Sequence, residues 1–164
     1  MTTRASIAVR ALAQADYAQW LVLWSGYNEF YGRSGVTALP DEVTAMTWSR
    51  FFDAYEPVHA LGAEHEGRLL GIVHYLFHRS TTVVGPVCYL QDLFTSAEAR
   101  GKGIGASLIR GVYEKAELAK ATRVYWQTHE TNRIAMALYD KVADKSGFVV
   151  YRRPLNVPAS KQTT

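Results

Sequence analysis

The chain is poor in cysteine and in long apolar runs. Cys88 is the single cysteine among 164 residues, so an internal disulfide is impossible, and one cysteine with five scattered histidines offers no zinc-binding spacing. The longest uncharged apolar run covers 69–77 and is interrupted by His74. That run is half of the roughly 18 residues that a membrane-spanning helix needs. We therefore expect neither a metal site nor a membrane segment.

An excess of charge of one sign is also lacking. Eighteen Lys and Arg residues face fifteen Asp and Glu residues, a formal net charge of +3, and these charges are dispersed along the chain. A nucleic-acid-binding module needs clustered basic residues with exposed aromatic residues, and the sequence shows neither, so we expect no nucleic-acid partner. Arg4, Arg10 and Asp16 stand where a secretory signal would need its apolar run, and this predicts a cytoplasmic protein.

The composition that remains is that of one globular domain. Apolar residues make up 48% of the chain and charged residues 20%, and the length fits a single domain over 1–164. We expect an ordered core over about 6–153 and a polar, frayed tail over 158–164.

Apolar periodicity and turn residues predict an α/β domain with a mixed sheet and the element order β-α-α-β-β-β-α-β-α-β. Strands are predicted at 6–11, 58–64, 68–78, 87–95, 123–128 and 148–152, and helices at 16–31, 41–54, 103–120 and 132–145. The polar pair Glu66-Gly67 separates two strand runs and is typical of an antiparallel hairpin. Gly147 is read as a helix stop before the last strand.

A glycine-rich loop reads Arg-Gly-Lys-Gly-Ile-Gly over 100–105, between a predicted strand and a predicted helix. Alternate glycines allow close approach of the backbone to a ligand, and the free N–H groups at a helix start bind phosphate oxygens. The Walker A pattern does not fit, because Lys102 is followed by Gly103 instead of Ser or Thr. The dinucleotide pattern does not fit either, because its third glycine is missing. The pattern that does fit is Arg/Gln-x-x-Gly-x-Gly/Ala.

With this loop the chain resembles the GCN5-related N-acetyltransferases over roughly 6–153. Two further segments carry the resemblance: 89–95 is similar to the central strand of that family, and 124–139 is similar to fungal histone and small-amine acetyltransferases and to polyamine acetyltransferases. The resemblance implies a single-domain fold with a mixed, mostly antiparallel central sheet flanked by helices. It also implies acetyl-coenzyme A as cosubstrate and, from dimers among the resembling enzymes, a homodimer.

The resemblance implies roles for individual residues. Coenzyme binding is expected from three places. They are the central strand with Leu93, Phe94 and Thr95, the glycine loop and the start of its helix with Arg100, Gly101, Lys102, Gly103, Ile104, Gly105 and Ala106, and the last helix with Asn132 and Tyr139. Tyr139 is also the expected general acid, because the tyrosine at this place protonates the departing thiolate in the resembling enzymes. On its spacing alone, Tyr139 is read as a core aromatic.

Asp92 is the candidate base and, with Gln91, lies on the central strand near the acceptor amine. Strand alternation allows only one of these two side chains to point into the site. Gln91 stands where polyamine acetyltransferases usually carry Glu, a departure that disfavours a polyamine. The resemblance places the end of the first helix beside the acceptor as well, with Tyr27 exposed there and Glu29 holding a cationic acceptor.

Other chemistry-bearing residues are given structural roles. Cys88, between apolar strand residues, is read as a buried cysteine, which favours direct transfer over an acyl-cysteine route. His74 and His78 share a strand face without an evident carboxylate partner, so strand packing is expected. His129 and Glu130, after the next strand, are read as solvated.

The sequence thus predicts an acetyl-coenzyme A dependent N-acetyltransferase that acts on a primary amine of a small molecule, with no metal. Two alternatives remain open at this point. One is an enzyme that acetylates a protein lysine or N-terminus, and the other is a non-catalytic acyl-coenzyme A sensor. The presence of Tyr139 and Asp92 speaks against the sensor.

Overall fold

The computed structural model describes residues 6–155 and contains five strands and four α-helices within that range; the expected tail over 158–164 lies outside it. The strands are β1 (Ala8–Ala11), β2 (Val58–His65), β3 (Arg68–His78), β4 (Val87–Thr95) and β5 (Val124–Tyr125). The helices are α1 (Tyr17–Phe30), α2 (Asp41–Arg50), α3 (Ile104–Leu118) and α4 (Arg133–Val142). One-turn 3-10 segments occur at Gln14–Asp16, Gly35–Thr37 and Ala97–Ala99.

The sheet has the strand order β1-β2-β3-β4-β5, so each strand pairs with its neighbour in the sequence. The first four strands are antiparallel, whereas β4 and β5 run parallel. The predicted hairpin turn joins β2 and β3, and both of its residues have left-handed backbone angles, with φ of 51° at Glu66 and 78° at Gly67. The predicted mixed, mostly antiparallel sheet flanked by helices is confirmed.

Each face of the sheet carries its own apolar cluster. Helix α3 covers one face with Ile104, Leu108, Val112 and Ala116, which recur every four residues and are at most 4% exposed. Helix α1 and the residues at the end of α2 cover the other face, where an aromatic cluster contains Trp20, Trp24, Tyr27, Trp48 and Phe51. The two clusters place β3 and β4 at the centre of the domain.

The predicted strand over 148–152 is wrong, and β5 is shorter than predicted. Residues 143–155 form no strand, and Phe148 and Tyr151 are 92% and 93% exposed. A strand needs a partner with free backbone groups, and β5 offers only two residues at the edge of the sheet.

Within residues 6–155 no helix is long and apolar enough to cross a membrane.

Strand β1 and the start of α1 are joined by a charged cluster. The Arg10 guanidinium donates to Asp16 at 2.7 and 3.0 Å and to Glu64 at 2.6 Å. The same Asp16 carboxylate accepts the backbone N–H of Ala13 at 2.7 Å. The hydrogen bond from Arg10, the largest influence, lowers the pKa of Asp16. This cluster fixes the point at which the chain enters α1.

Candidate active site

A β-bulge in β4 determines which side chains face α1. Leu90 lies opposite Tyr75 on β3 and Asp92 lies opposite His74, so Gln91 is one residue too many in the ladder. Leu90 packs in the α3 cluster, and without the bulge strict alternation would turn Asp92 toward that same apolar cluster. The bulge instead places Asp92 on the α1 face, beside His74, and leaves Gln91 exposed.

Strands β4 and β5 separate next to this bulge. Their parallel pairing covers only Cys88 with Val124 and Tyr89 with Tyr125, and β5 ends there. From Leu90 to Thr95, β4 therefore has no strand partner on the β5 side within the described chain. Backbone N–H and C=O groups along this edge are available to an extended ligand.

Asp92 is anchored through a buried histidine. The Nδ1 atom of His74 lies 2.9 Å from Oδ2 of Asp92, and the Nε2 atom of His74 lies 3.0 Å from the indole nitrogen of Trp20. His74 and Trp20 are 1% and 0% exposed. The expectation that His74 only packs in its strand is therefore wrong: it has a carboxylate partner on the neighbouring strand. His78, four residues on, bonds the Tyr125 hydroxyl instead.

Two tyrosines at the end of α1 lie near Asp92, and Arg33 from the following turn packs against both of them. Burial, together with the Asp92 carboxylate, raises the pKa of Tyr27, and the same two causes raise the pKa of Tyr31. The Cζ atom of Arg33 lies 5.6 Å from the ring centre of Tyr27 and 5.3 Å from that of Tyr31. Asn28 fixes the arginine by accepting its Nε–H at 2.7 Å and its backbone N–H at 2.9 Å. Tyr27 and Tyr31 therefore have both a cation and a carboxylate in their surroundings.

Tyr139 on α4 closes the site from a third side. Its ring packs against Trp126 with the ring centres 5.3 Å apart. Burial raises the pKa of Tyr139 to about 12, and its proximity to Tyr31 contributes to the shift. The hydroxyl is consequently protonated at neutral pH, which is the state that a proton donor requires.

The glycine loop has the backbone geometry of an anion-binding helix start. Gly101 and Gly103 have left-handed φ angles of 73° and 78°, and a Cβ built on either would meet no atom within 4 Å. The first intrahelical bond runs from the N–H of Ser107 to the carbonyl of Gly103, so the N–H groups of 104–106 have no carbonyl ahead of them in the helix. The exposed side chains of Arg100 and Lys102 add positive charge. This arrangement fits a diphosphate.

Other predicted coenzyme-binding residues extend from this loop. Leu93, Phe94 and Thr95 lie on β4, in the stretch that has no partner on the β5 side among the described residues, and a Cβ on Gly105 would approach Leu138 of α4 to 3.1 Å. Asn132 caps α4 by accepting the N–H of Ala135 at 3.4 Å. The approach of Gly105 to Leu138 and to Thr95 places the start of α3 against α4 and the end of β4.

The structure corrects the predictions for Glu29 and Tyr27 and agrees with the reading of Cys88 as a buried cysteine. Glu29 is exposed and lies about 200° around the helix from Tyr27, so Arg33 and not Glu29 is the charged group beside that tyrosine. Tyr27 itself is 9% exposed, so its expected exposure is wrong. Cys88 is fully buried, and burial raises the pKa of its thiol to about 11, which disfavours a nucleophilic thiolate. Residues 6–155 contain no cluster of three His, Cys, Asp or Glu residues suited to a metal ion.

Sequence reasoning missed Trp20, His74 and Arg33. A signal for the first two was present, because an aromatic helix stripe and a strand histidine can form a buried polar pair. The third residue follows the end of α1 by three positions, and only the folded turn reveals that it returns over Tyr27 and Tyr31.

Comparisons with known proteins agree with this geometry. Residues 20–143 match the model of the acetyltransferase (GNAT) family. The chain is 38% identical over 149 residues to the D-amino-acid N-acetyltransferase HPA3 of Saccharomyces cerevisiae, covering 90% of each chain. A probable acetyltransferase of known structure is 21% identical with a TM-score of 0.78, covering 92% of this chain and 99% of that one. The aminoglycoside N-acetyltransferase AAC(6')-Iy in complex with CoA is 15% identical with a TM-score of 0.77, covering 94% and 98%. The chain therefore belongs to the acetyltransferase (GNAT) family and is an N-acetyltransferase.

Proposed function

We propose that this protein transfers the acetyl group of acetyl-coenzyme A directly to the primary amine of a small molecule. The observation that carries the proposal is the convergence of three groups beside the open edge of β4. Asp92 comes from the bulge, Tyr31 from the end of α1, and Tyr139 from α4. Amide formation from a thioester and an amine needs a base for the amine and an acid for the departing thiolate.

The glycine loop and β4 fit the two ends of acetyl-coenzyme A. The diphosphate would lie against the N–H groups of 101–106, where Gly101 and Gly103 leave the approach open. The amide groups of pantetheine would pair with the backbone of 90–95, which has no β5 partner there. When bound, the cosubstrate supplies the thioester carbonyl.

The side chains of this protein would manage the protons. The Asp92 carboxylate holds the acceptor as an ammonium ion and takes up the proton that the amine must lose before it attacks. The Tyr139 hydroxyl holds a proton for the departing sulfur, and its raised pKa keeps that proton in place at neutral pH. Because Cys88 is buried and its thiol is protonated, we propose direct transfer to the amine and not an acyl-enzyme on that residue.

Within small amines, an amino acid fits the site better than a polycation. Arg33 has no carboxylate within 4 Å among the residues that the structure describes, and its guanidinium is held against Tyr27 and Tyr31 by Asn28. A guanidinium favours a carboxylate and repels a second amine. The relative named a D-amino-acid N-acetyltransferase supports the same class of acceptor.

An acceptor panel tests this function directly. Free-thiol release from acetyl-coenzyme A would be followed with D- and L-amino acids, with the amides of the same amino acids, with linear diamines and with lysine-containing peptides. We expect turnover with free amino acids and lower kcat/KM with their amides. Turnover with peptides alone would favour the protein-acetylating alternative. Coenzyme binding without turnover of any amine would favour the sensor alternative.

We also propose that the protein is a cytoplasmic homodimer. The apolar residues Phe148, Val149, Val150 and Tyr151 are exposed in the single chain, at 64–93%, and come after α4 in the sequence. Apolar patches of this kind are typical of a subunit contact. Sedimentation equilibrium would measure the mass, and Val149→Lys with Tyr151→Lys should yield a monomer if the segment forms the contact.

A further inference from the structure

The indole N–H of Trp20 determines which nitrogen of His74 carries a proton. An indole nitrogen is a donor only, so across the 3.0 Å contact the Nε2 atom of His74 must accept. The Nδ1 atom then carries the hydrogen and donates it to Oδ2 of Asp92 at 2.9 Å. The contacts of both nitrogens therefore fix one tautomer.

A second proton on His74 has no place in this arrangement. A hydrogen on Nε2 would point at the hydrogen of the Trp20 indole inside an environment that excludes water, since both side chains are at most 1% exposed. Aromatic rings enclose the imidazole, with the centres of Trp24 and Phe51 at 5.4 and 4.7 Å. A hydrogen on Nε2 would have no acceptor, and burying an unsatisfied donor is costly, so the imidazole remains neutral.

A neutral donor affects Asp92 differently from a cationic one. The hydrogen bond orients the carboxylate and occupies one of its oxygens, but it leaves the negative charge uncompensated. The other groups that face this carboxylate are the hydroxyls of Tyr27, Tyr31 and Tyr89, with the Arg33 guanidinium beyond the tyrosine pair. His74 therefore does not neutralise the carboxylate that would bind an ammonium ion.

We propose that Trp20 and His74 are positioning residues, which hold Asp92 in place and, by keeping His74 neutral, preserve its negative charge for the acceptor amine. This proposal rests on the proposed function, because it assigns a purpose to Asp92 within that reaction. It adds two residues that touch neither substrate and act only through Asp92.

The tautomer can be measured without any activity. Long-range proton–nitrogen NMR spectra of the uniformly ¹⁵N-labelled full chain would be assigned for His74 with a His74→Gln variant. We expect a protonated Nδ1 and an unprotonated Nε2 whose shifts do not change between about pH 5 and 8, the range in which an accessible imidazole takes up its second proton. A hydrogen on Nε2, or uptake of a second proton within that range, overturns the proposal.

Trp20→Phe removes the N–H group that the Nε2 atom of His74 accepts and keeps most of the aromatic packing. The Nε2 atom of His74 is then unpaired and free to take up a proton at acid pH, which turns Asp92 into half of an ion pair. Trp24→Phe is the matched control, because its buried indole stacks on Trp20 but donates to the Thr44 hydroxyl at 3.2 Å. We expect the KM for the amine in Trp20→Phe, relative to Trp24→Phe, to rise at least about tenfold from pH 8 to pH 6.

The outcomes separate this proposal from the proposed function. A ratio of the two KM values that is the same at both pH values overturns the positioning role. If neither the parent protein nor the variants acetylate any amine, the proposed function fails. The NMR spectra still report which tautomer His74 adopts. If Trp20→Phe does not fold, the spectra of the parent protein decide.

Discussion

The ring of Tyr139 meets the ring of Trp126 nearly edge-on, with the ring centres 5.3 Å apart and the planes at 66°. This packing involves the ring and not the hydroxyl, so the two contributions of Tyr139 can be separated by one substitution. Tyr139→Phe should retain the fold and the coenzyme affinity while kcat falls by a factor on the order of 10². Steady-state kinetics with a confirmed acceptor, paired with calorimetric coenzyme titration, measures both.

The raised pKa of Tyr139, about 12, adds a pH dependence to this prediction. A proton donor fails when it loses its proton, so the kcat of the parent protein should show no alkaline loss from this residue near pH 10, where an ordinary phenol ionises. An unchanged kcat in Tyr139→Phe would show that Tyr139 only packs against its neighbours and donates no proton.

Asp92→Asn tests the acceptor side of the site. Asparagine can still accept the hydrogen bond of His74, so the strand pairing should persist, but the charge that holds an ammonium ion is lost. We expect kcat/KM for the amine to fall at least tenfold, with the acid limb of its pH profile altered and coenzyme affinity unchanged. A rate and a profile like those of the parent would move the base role to ordered water.

Arg33→Gln tests the class of acceptor. If the guanidinium binds a carboxylate, the parent enzyme should prefer an amino acid to its amide, and the variant should lose at least about tenfold of that preference. Arg110→Gln is a control, since the one side-chain hydrogen bond of that exposed arginine on α3, among the described residues, is to Ser107. Equal preference in the parent and in Arg33→Gln would contradict the assignment and leave acetyl transfer itself untouched.

Gly103→Ala tests the coenzyme loop, because a Cβ there points into the open approach to the N–H groups of α3. Any non-glycine residue at its φ of 78° also strains the backbone by roughly 1–2 kcal/mol. Gly67→Ala separates the two effects, since Gly67 has the same φ of 78° and the same open surroundings but lies in the β2–β3 turn. Isothermal titration should show coenzyme affinity falling at least about tenfold in Gly103→Ala alone; equal losses in both variants would contradict a specific role.

The lowered pKa of Asp16 predicts a pH-dependent contribution to stability. A carboxylate whose pKa is lower in the folded chain stabilises the fold above its ordinary value of about 4 and loses that effect as the pH falls through the folded value. The difference in the free energy of unfolding between the parent and Asp16→Asn should therefore be large at pH 7 and shrink below about pH 4.

Urea denaturation at several pH values measures that difference. Glu98→Gln is the comparison, because its ion pair with Arg68, at 3.4 Å, is exposed and should contribute less than about 1 kcal/mol at any pH. A difference for Asp16→Asn that stays constant from pH 7 to pH 3 would show that the charge of Asp16 is not involved.

Patterns that depend on local periodicity were predictable from the sequence. The bounds of β3 and β4 agree with the prediction at both ends, since β-branched and aromatic residues fill these strands and glycine turns delimit them. Helix α3 follows from its four-residue apolar repeat. The glycine loop could be located because its position between a strand and a helix is itself a local signal.

Properties that depend on pairing were not predictable. The bulge at Gln91 puts Asp92 on the face opposite to that of Leu90, and it shows only in the register between β3 and β4. Alternation alone therefore could not choose between Gln91 and Asp92 or identify His74 as a partner. Residues 148–152 have the composition of a strand, but the two-residue β5 gives them no ladder to join.

The surplus residue in β4 separates what this chain needs to fold from what it needs to act. If Gln91 were deleted, Leu90 and Asp92 would become neighbours and still face opposite sides of the sheet, so the ladder could close into regular pairing. Every side chain of the proposed chemistry would still be present after the deletion. The bulge next to which the pairing of β4 with β5 ends would be lost. The opening for a cosubstrate would then depend on how many residues the strand holds, a property that a comparison of conserved side chains does not reveal.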